Sequence, residues 1–275
     1  MIIMATSFLE TGSGEIRYQT KGKETNDSLL FLNGIFMTLD RWELFSKELS
    51  EDFFVVGHDM RCQGGSFCPD EVCLDDHLND TLSLMNELNI DKASLVGTSY
   101  GGEVAQLLAI EHPERVKDLA LITTTSEIPV EMAITALRWK MGAETGDPGK
   151  FTLSFLNDVY SDQFIRDNPG ILEKITARLE EASFNYTGAV KLLDAFLDLR
   201  ENPITPGLNE IEVPTLVISA RNDRVKPPEF GRKIHEEIEG STYREVEGSG
   251  HGLVVEKPQE LLNLLKAHLE SATLP

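Results

Sequence analysis

A serine flanked by glycines at residues 97–101 constrains the fold of this chain more than any other stretch. Gly97-Thr98-Ser99-Tyr100-Gly101 lies between strand-forming residues, 93–96, and a helix-like segment, 103–108. Glycines two positions before and after the serine suit a turn so sharp that a Cβ would collide with the adjoining strand or helix. The pattern is that of a nucleophile elbow, G-x-S-x-G, which exposes the serine hydroxyl above a sheet. A chain of this length shows it by chance about one time in ten, so the remaining residues must test it.

Strand-like and helix-like segments alternate along most of the chain. Continuous apolar runs predict strands that are buried on both faces, and helical periodicity predicts amphipathic helices between them. Such alternation predicts an α/β fold, with a mostly parallel sheet covered by helices on both faces. The first two of eight strand-like segments alternate in polarity and predict an antiparallel hairpin. The eight segments are 2–9, 14–20, 28–32, 53–56, 93–96, 118–124, 215–219 and 243–246.

The stretch from about residue 127 to 206 lacks any strand-like run, and helical periodicity dominates it. We therefore expect residues 1–126 and 207–275 to form one core domain, and 127–206 to form a helical cap, or lid, inserted into it. In open α/β sheets the carboxyl ends of the strands carry the site, so the cap is expected to cover that edge. The helices expected in the cap are 130–141, 151–157, 171–183 and 187–199.

The charge balance limits the partners of the chain. Its 275 residues include 46 acidic and 25 basic side chains, a net charge of −21. Such a surface repels nucleic acids and anionic membranes, so neither is expected as a partner. No signal peptide and no apolar run of about 18 residues is visible, which predicts a cytoplasmic protein without membrane insertion. We expect a monomer or homodimer.

The three cysteines lie close together, and their spacing matches no zinc or redox motif. Cys62, Cys68 and Cys73 are therefore expected to be free thiols in a reducing compartment, with a labile redox or metal site as the alternative.

A serine nucleophile needs a base, and His251 is the strongest candidate among six histidines. It lies in Gly248-Ser249-Gly250-His251-Gly252, a loop after the last strand, where neither a helix face nor strand alternation explains it. Three other histidines lie in amphipathic helical segments, where a solvated or half-buried helix face accounts for them: His77, His235 and His268. A helix end explains His112, and His58, which follows a strand, is a weaker candidate.

Asp223 is the candidate for the carboxylate that orients this base. It follows the strand at 215–219 directly, which places it at the carboxyl edge of the sheet; the alternative is a solvated turn aspartate beside Asn222. The resulting order of Ser99, Asp223 and His251 is the chain order expected of an α/β-hydrolase triad.

A tetrahedral oxyanion needs backbone donors, and two amides are candidates. The amide of Tyr100 follows the nucleophile directly at a helix N-terminus. The amide of Ile35 follows Asn33-Gly34 in the turn after the strand at 28–32, where Gly34 lets the backbone approach the substrate.

These motifs together resemble the α/β-hydrolase superfamily, in particular capped esterase- or lipase-like members with a serine nucleophile. The resemblance covers nearly the whole chain and is strongest at 97–102, 221–227 and 250–252. Residues 59–66 are similar to the family's D-x-R-G-x-G-x-S turn, with Cys62 in place of a glycine. Many relatives have His-Gly where this chain has Asn33-Gly34, and some acyltransferase-like relatives have Asn-Gly. The resemblance implies acyl chemistry through Ser99, with no metal and no organic cofactor.

The substrate is expected to be a small, largely apolar ester. Phe36 and Met37 beside the oxyanion turn, and Trp139 of the cap, are expected to line its pocket. Hydrolysis of carboxylic esters, including lactones or thioesters, is the favoured reaction. The same triad also serves hydrolysis of carbon–carbon bonds and acyl transfer to an acceptor other than water. A receptor-like protein that binds a ligand with negligible turnover is the alternative from another class.

Overall fold

A central sheet of eight strands organises the computed structural model, which describes residues 6–181 and 184–272. The strand order is β1-β2-β4-β3-β5-β6-β7-β8, and only the pairs β1/β2 and β2/β4 are antiparallel. The bounds are β1 Thr6–Glu10, β2 Glu15–Lys21, β3 Ser28–Leu32, β4 Phe54–His58, β5 Ala93–Thr98, β6 Val116–Ile122, β7 Thr215–Ala220 and β8 Thr242–Val246. The predicted α/β fold with an amino-terminal hairpin is confirmed. Residues 2–5 of the first predicted strand and 182–183 of a predicted helix lie outside the described residues.

Helices join the parallel strands. Those of the sheet-bearing part are α1 Glu43–Leu49, α2 Leu74–Glu87, α3 Tyr100–Glu111, α9 Pro228–Glu237, α10 Leu253–Glu256 and α11 Pro258–Ala272. Between β6 and β7 lie α4 Val130–Glu144, α5 Pro148–Val159, α6 Asp162–Asp167, α7 Ile171–Glu181 and α8 Tyr186–Leu197. In this block α4 packs on α5 and α8, and α5 packs on α7. The sequence did not predict α6. Among the described helices, none combines the length and apolarity that a membrane crossing needs.

The continuous apolar runs are explained by burial on both faces of the sheet. Along β3, Leu30 and Leu32 belong to the core on one face, whereas Leu29 and Phe31 belong to the core on the other. Successive side chains of a strand point to opposite faces, so a strand covered on both sides is apolar at every position.

The cysteine prediction is wrong for two of the three residues. Cys62 and Cys68 form a disulfide, and Cys73 is a free, exposed thiol. The bond joins two residues six positions apart between β4 and α2, where Cys62 also has a positive φ of 68°. The cytoplasmic location depended partly on three free thiols, because disulfides are rare in reducing compartments, and it stays a prediction.

The prediction for His77 is also wrong. Its helix face is neither solvated nor half-buried, because α2 packs on α3 and the imidazole lies edge-on against Tyr100, fully buried. Within the described residues, neither ring nitrogen of His77 or of the neighbouring His58 has a hydrogen-bond partner. Burial, with the charge of Arg61 nearby, lowers the pKa of His77 from 6.5 to about 3, and burial lowers the pKa of His58.

These two histidines should make the fold sensitive to mild acid. An unfolded imidazole binds a proton below its pKa of about 6.5 whereas the buried ring does not, so stability is lost as the pH falls from there towards 3. His77 alone should lower the free energy of unfolding by about 1.3 kcal/mol between about pH 7 and pH 5.5. Urea unfolding at both pH values measures this loss. His77→Asn should reduce it and His112→Asn, at a partly exposed site, should not; equal losses in all three proteins would contradict the assignment.

Candidate active site

The elbow after β5 holds Ser99 in a strained backbone conformation, with φ 52° and ψ −119°. Positive φ is costly for a residue with a side chain and occurs where the surroundings enforce it. The glycines make the turn possible. A Cβ on Gly97 would lie 2.4 Å from the carbonyl oxygen of Gly101, and one on Gly101 would lie 2.2 Å from that of Leu32. The sharp turn places the serine at the carboxyl end of the central strand.

The structure brings Ser99, His251 and Asp223 into one hydrogen-bonded chain. Ser99 Oγ lies 2.9 Å from His251 Nε2, and His251 Nδ1 lies 2.8 Å from Asp223 Oδ2. The carboxylate is an acceptor, so Nδ1 carries the proton of a neutral ring, and Nε2 accepts from the hydroxyl. The other carboxylate oxygen, Oδ1, accepts from the amides of Val225 and Lys226, each at 2.8 Å. These two bonds fix the plane of the carboxylate.

Glu256 supports the loop that carries His251, and sequence reasoning missed it. Its carboxylate accepts from the amide of Gly250 at 3.0 Å and from the hydroxyl of Ser161 at 2.5 Å. Ser161 lies between α5 and α6, so Glu256 joins the histidine loop to the helices between β6 and β7. No single-sequence signal distinguishes this glutamate from the many others in the chain.

The two predicted oxyanion donors belong to the two segments that meet at the serine. Gly34 approaches the nucleophile so closely that a Cβ there would lie 3.3 Å from the Cβ of Ser99. Within the described residues, the amides of Ile35 and Tyr100 make no hydrogen bond to the protein. Phe36, directly after Ile35, has a positive φ of 67°, which marks a tight turn. Both amides are therefore available as donors beside Ser99.

Asn33 explains how this chain keeps that turn without the His-Gly pair of many relatives. The side chain is fully buried, donates from Nδ2 to the carbonyl of His58 at 2.9 Å and accepts from Trp42 Nε1 at 2.8 Å. The adjacent loop is fixed by Asp59, which accepts from the amides of Leu39 at 2.7 Å and Gly65 at 3.0 Å. The turn at 59–66 is therefore a structural element.

A cavity of about 260 Å³ opens beside Ser99 and His251. The predicted residues Phe36, Met37 and Trp139 all line it. Phe36 lies at the centre of an aromatic cluster, with its ring centroid 6.0 Å from that of Trp139 and 5.0 Å from that of Phe151. The walls from α4 and α5 thus face the nucleophile with apolar surface. Among the described residues, no cluster of three or more His, Cys, Asp or Glu side chains suits a metal ion.

A buried ion pair joins the segments that carry the serine and the aspartate. Lys226, three residues after Asp223, binds Glu103, which lies one helical turn after Ser99. The ammonium also lies 4.8 Å from the centre of the Phe196 ring on α8. Burial raises the pKa of Glu103 and lowers that of Lys226. The sequence did not predict this pair.

The chain is similar along most of its length to known hydrolases. It is 30% identical over 254 residues to 3-oxoadipate enol-lactonase 2 from Acinetobacter baylyi, and the match covers 92% of each chain. Among solved structures, an alpha/beta hydrolase enzyme from a Medee basin deep-sea metagenome library superposes with a TM-score of 0.91 at 22% identity, covering 98% of this chain and 99% of that one. The enol-lactonase from Burkholderia xenovorans has a TM-score of 0.86 at 23% identity, with 96% and 100% covered.

The two structural likenesses show a shared fold, and the sequence match shows kinship. A family model described as "alpha/beta hydrolase fold" matches residues 27–258, which include all the strands from β3 to β8 and the segments that carry Ser99, Asp223 and His251. The resemblance of the sequence motifs to this family is confirmed. The chain is a member of the α/β-hydrolase fold family, and it is a hydrolase.

Proposed function

We propose that this hydrolase cleaves carboxylic esters, including lactones, through an acyl-enzyme formed on Ser99. The observation that carries the proposal is the continuous chain from Ser99 Oγ through His251 to Asp223, at 2.9 and 2.8 Å. An activated hydroxyl beside two unused backbone amides is the arrangement that acyl transfer requires.

Each group has a defined role in the proposed reaction. His251 Nε2 removes the Ser99 proton as Oγ attacks the carbonyl carbon, and Asp223 stabilises the imidazolium that forms. The amides of Ile35 and Tyr100 donate to the oxyanion of the tetrahedral intermediate; one such donor contributes about 3 kcal/mol in comparable enzymes. The intermediate collapses, and the leaving alkoxide takes the proton from His251. Water then attacks the acyl-enzyme with His251 as its base, which releases the acid and regenerates Ser99.

We propose that residues 127–206 form a cap over a core of residues 1–126 and 207–275. The support is the lining of the cavity, to which α4, α5 and α8 contribute Trp139, Phe151 and Leu192 opposite Ser99. A cap with apolar walls excludes water from the ester and strengthens the electrostatic interactions at the oxyanion.

The inclusion of lactones is supported by the relatives. The Acinetobacter baylyi protein named 3-oxoadipate enol-lactonase 2 is 30% identical to this chain over nearly its full length. A lactone is an internal ester, so the same attack by Ser99 opens its ring and leaves the alcohol and the acyl group on one molecule.

A substrate panel combined with active-site labelling tests the proposal. The purified protein should hydrolyse short p-nitrophenyl esters and open lactones, measured by absorbance and by proton release. A fluorophosphonate probe should label it once, and Ser99→Ala should abolish the labelling. A protein that turns over no ester or lactone and does not react with the probe would contradict the proposal.

The same experiment separates the alternative reactions. Added alcohol should not divert the product from free acid to a new ester, as it would in an acyltransferase. A vinylogous 1,5-diketone should be left intact, whereas a carbon–carbon bond hydrolase would cleave it. A receptor-like protein would show a ligand-dependent rise in Tm without multiple turnovers.

A further inference from the structure

The charged groups that line the cavity all have one sign. Three side chains of lysine or arginine, Arg41, Arg178 and Lys226, belong to the described lining, and no aspartate or glutamate does. The whole chain, by contrast, has 46 acidic and 25 basic residues. A concave site with one sign of charge concentrates the field of its charges and attracts ions of the opposite sign.

Two of these three cations lack a partner. Lys226 is neutralised by Glu103. Within residues 6–181 and 184–272, the guanidinium groups of Arg41 and Arg178 make neither a hydrogen bond nor an ion pair. Asp40, the acid next to Arg41, binds Arg17 at 3.4 Å and Thr38 at 3.3 Å.

The two arginines line the same cavity, although one precedes the cap segment and the other lies on α7. Burial lowers the pKa of Arg41, and the positive charge of Arg178 lowers it further. Asp40 opposes this effect on Arg41, but it also pairs with Arg17, so an anion between the two arginines would remove the repulsion that remains. Arg178 is exposed and Arg41 is half-buried, which places the pair at the mouth of the cavity.

Tyr160 connects this pair to the catalytic side of the cavity. Burial raises the pKa of its phenol, and the charges of Arg41 and Arg178 oppose that rise. Its ring lies against Gly252, the residue after His251, where a Cβ would be 2.9 Å from the ring. The amide of Gly252 also donates a hydrogen bond to the carbonyl of Val159, the residue before Tyr160, at 2.8 Å. An anion held by the arginines therefore lies in the same cavity as the scissile bond.

We propose that Arg41 and Arg178, with the hydroxyl of Tyr160, bind a carboxylate of the substrate at a distance from the carbonyl that Ser99 attacks. The substrate is then a half-ester of a dicarboxylic acid, or a lactone with a free carboxylate on its ring. This inference rests on the proposed ester hydrolysis.

The rest of the cavity suits such a molecule. A guanidinium group presents a planar fork of donors that matches a carboxylate. The aromatic walls formed by Phe36 and Trp139 cover the carbon chain between the two ends of the substrate. The sequence predicted a largely apolar substrate because arginines that are far apart in the chain gave no sign that they meet in the pocket.

Paired substrates test the selectivity of the wild-type protein. Monomethyl esters of succinic, glutaric, adipic and pimelic acid are compared with the dimethyl esters, at low ionic strength and at pH 7.5, by chromatography of the acids released. The best half-ester should have a kcat/KM at least about 10-fold above that of its dimethyl ester, because hydrogen bonds to a charged group are worth that much or more. The preference should decrease as salt is added.

Variants assign the selectivity to the two arginines. Arg41→Met and Arg178→Met keep the length of the side chain and remove its charge. Each should lower kcat/KM for the half-ester by about 10- to 100-fold and leave the dimethyl ester within about 3-fold. Arg166→Met, on α6 and outside the cavity lining, is the matched control and should change neither rate.

A binding measurement gives a second readout that needs no turnover. Free dicarboxylate, the product-like probe, should raise the Tm of Ser99→Ala and should not raise the Tm of Ser99→Ala/Arg41→Met. Equal rates on half-esters and dimethyl esters in the wild-type protein would overturn the carboxylate site, as would equal losses on both substrates in the arginine variants. Loss of the proposed function is a different result: no ester of either kind is hydrolysed, and the fluorophosphonate does not label Ser99.

Discussion

Ser99→Ala is expected to lower kcat/KM for the best ester by about 10⁴- to 10⁶-fold. The substitution removes the atom that forms the proposed covalent intermediate, and the His251 imidazole keeps its hydrogen bond to Asp223. The residual rate should stay above that of the uncatalysed reaction, since the proposed oxyanion donors, the amides of Ile35 and Tyr100, remain in place when water attacks directly. Steady-state rates with an ester assay, corrected for background hydrolysis, measure the change.

Two controls show that the loss of activity comes from the missing hydroxyl and not from a loss of the fold. The fold should be retained, with a free energy of unfolding within about 1 kcal/mol of the wild type, because only one hydroxyl is lost. Ser271→Ala, at an exposed position of α11, should leave kcat/KM unchanged. A Ser99→Ala protein that retains more than about a tenth of the activity would show that another nucleophile performs the reaction.

The sequence was sufficient to predict the sheet, because burial of the strands leaves a local pattern, and local patterns also indicated the three residues of the proposed triad. Continuous apolar runs such as 28–32 mark strands covered on both faces, and the structure places β3 there. Asp223 was found as an acid directly after a strand, and His251 as a histidine in the loop after the last strand; the carboxyl edge of a parallel sheet brings such loops together. Ser99 was found from the spacing of the glycines at 97 and 101, which marks the turn itself.

Contacts between distant segments could not be predicted in this way. Arg41 follows β3 and Arg178 lies on α7, and nothing in the sequence near either residue indicates that both line one cavity. Periodicity assigned His77 correctly to a helix but not to a buried face, because the packing of α2 on α3 is a tertiary property. The disulfide between Cys62 and Cys68 escaped prediction because their spacing matches many turns, and only the loop conformation brings the sulfurs together.

The buried pair of Glu103 and Lys226 is the second position where a large effect is expected. Lys226→Met should lower the free energy of unfolding by about 3–5 kcal/mol at pH 7.5, since it leaves the carboxylate of Glu103 buried without its counter-charge. Glu103→Gln should also lower the free energy of unfolding, because the ammonium of Lys226 is then buried without its counter-charge. Urea unfolding followed by circular dichroism measures both.

The double variant Glu103→Gln/Lys226→Met should be more stable than the sum of the single losses predicts. The double variant lacks the attraction within the pair, but unlike the single variants it leaves no unpaired charge in the interior. Its free energy of unfolding should therefore fall by less than about 2 kcal/mol. Additive losses in the double variant would show that the two residues contribute independently and that the pair is not the source of the stability.

The pH dependence separates an unpaired charge from simple loss of packing. In Lys226→Met, the buried Glu103 lacks the cation that opposes the rise of its pKa, so its proton is bound more tightly in the folded state than in the unfolded one. Such a carboxylate destabilises the fold while it is ionised. The lost stability returns as the pH falls towards the raised pKa and the carboxylate takes up a proton. The difference in the free energy of unfolding between Lys226→Met and the wild type should therefore shrink between about pH 7.5 and pH 5.5. His77 makes both proteins less stable over this range, so its effect cancels in the difference. A deficit that stays constant would mean that Lys226 stabilises the fold through its contact with Phe196 and not through its charge.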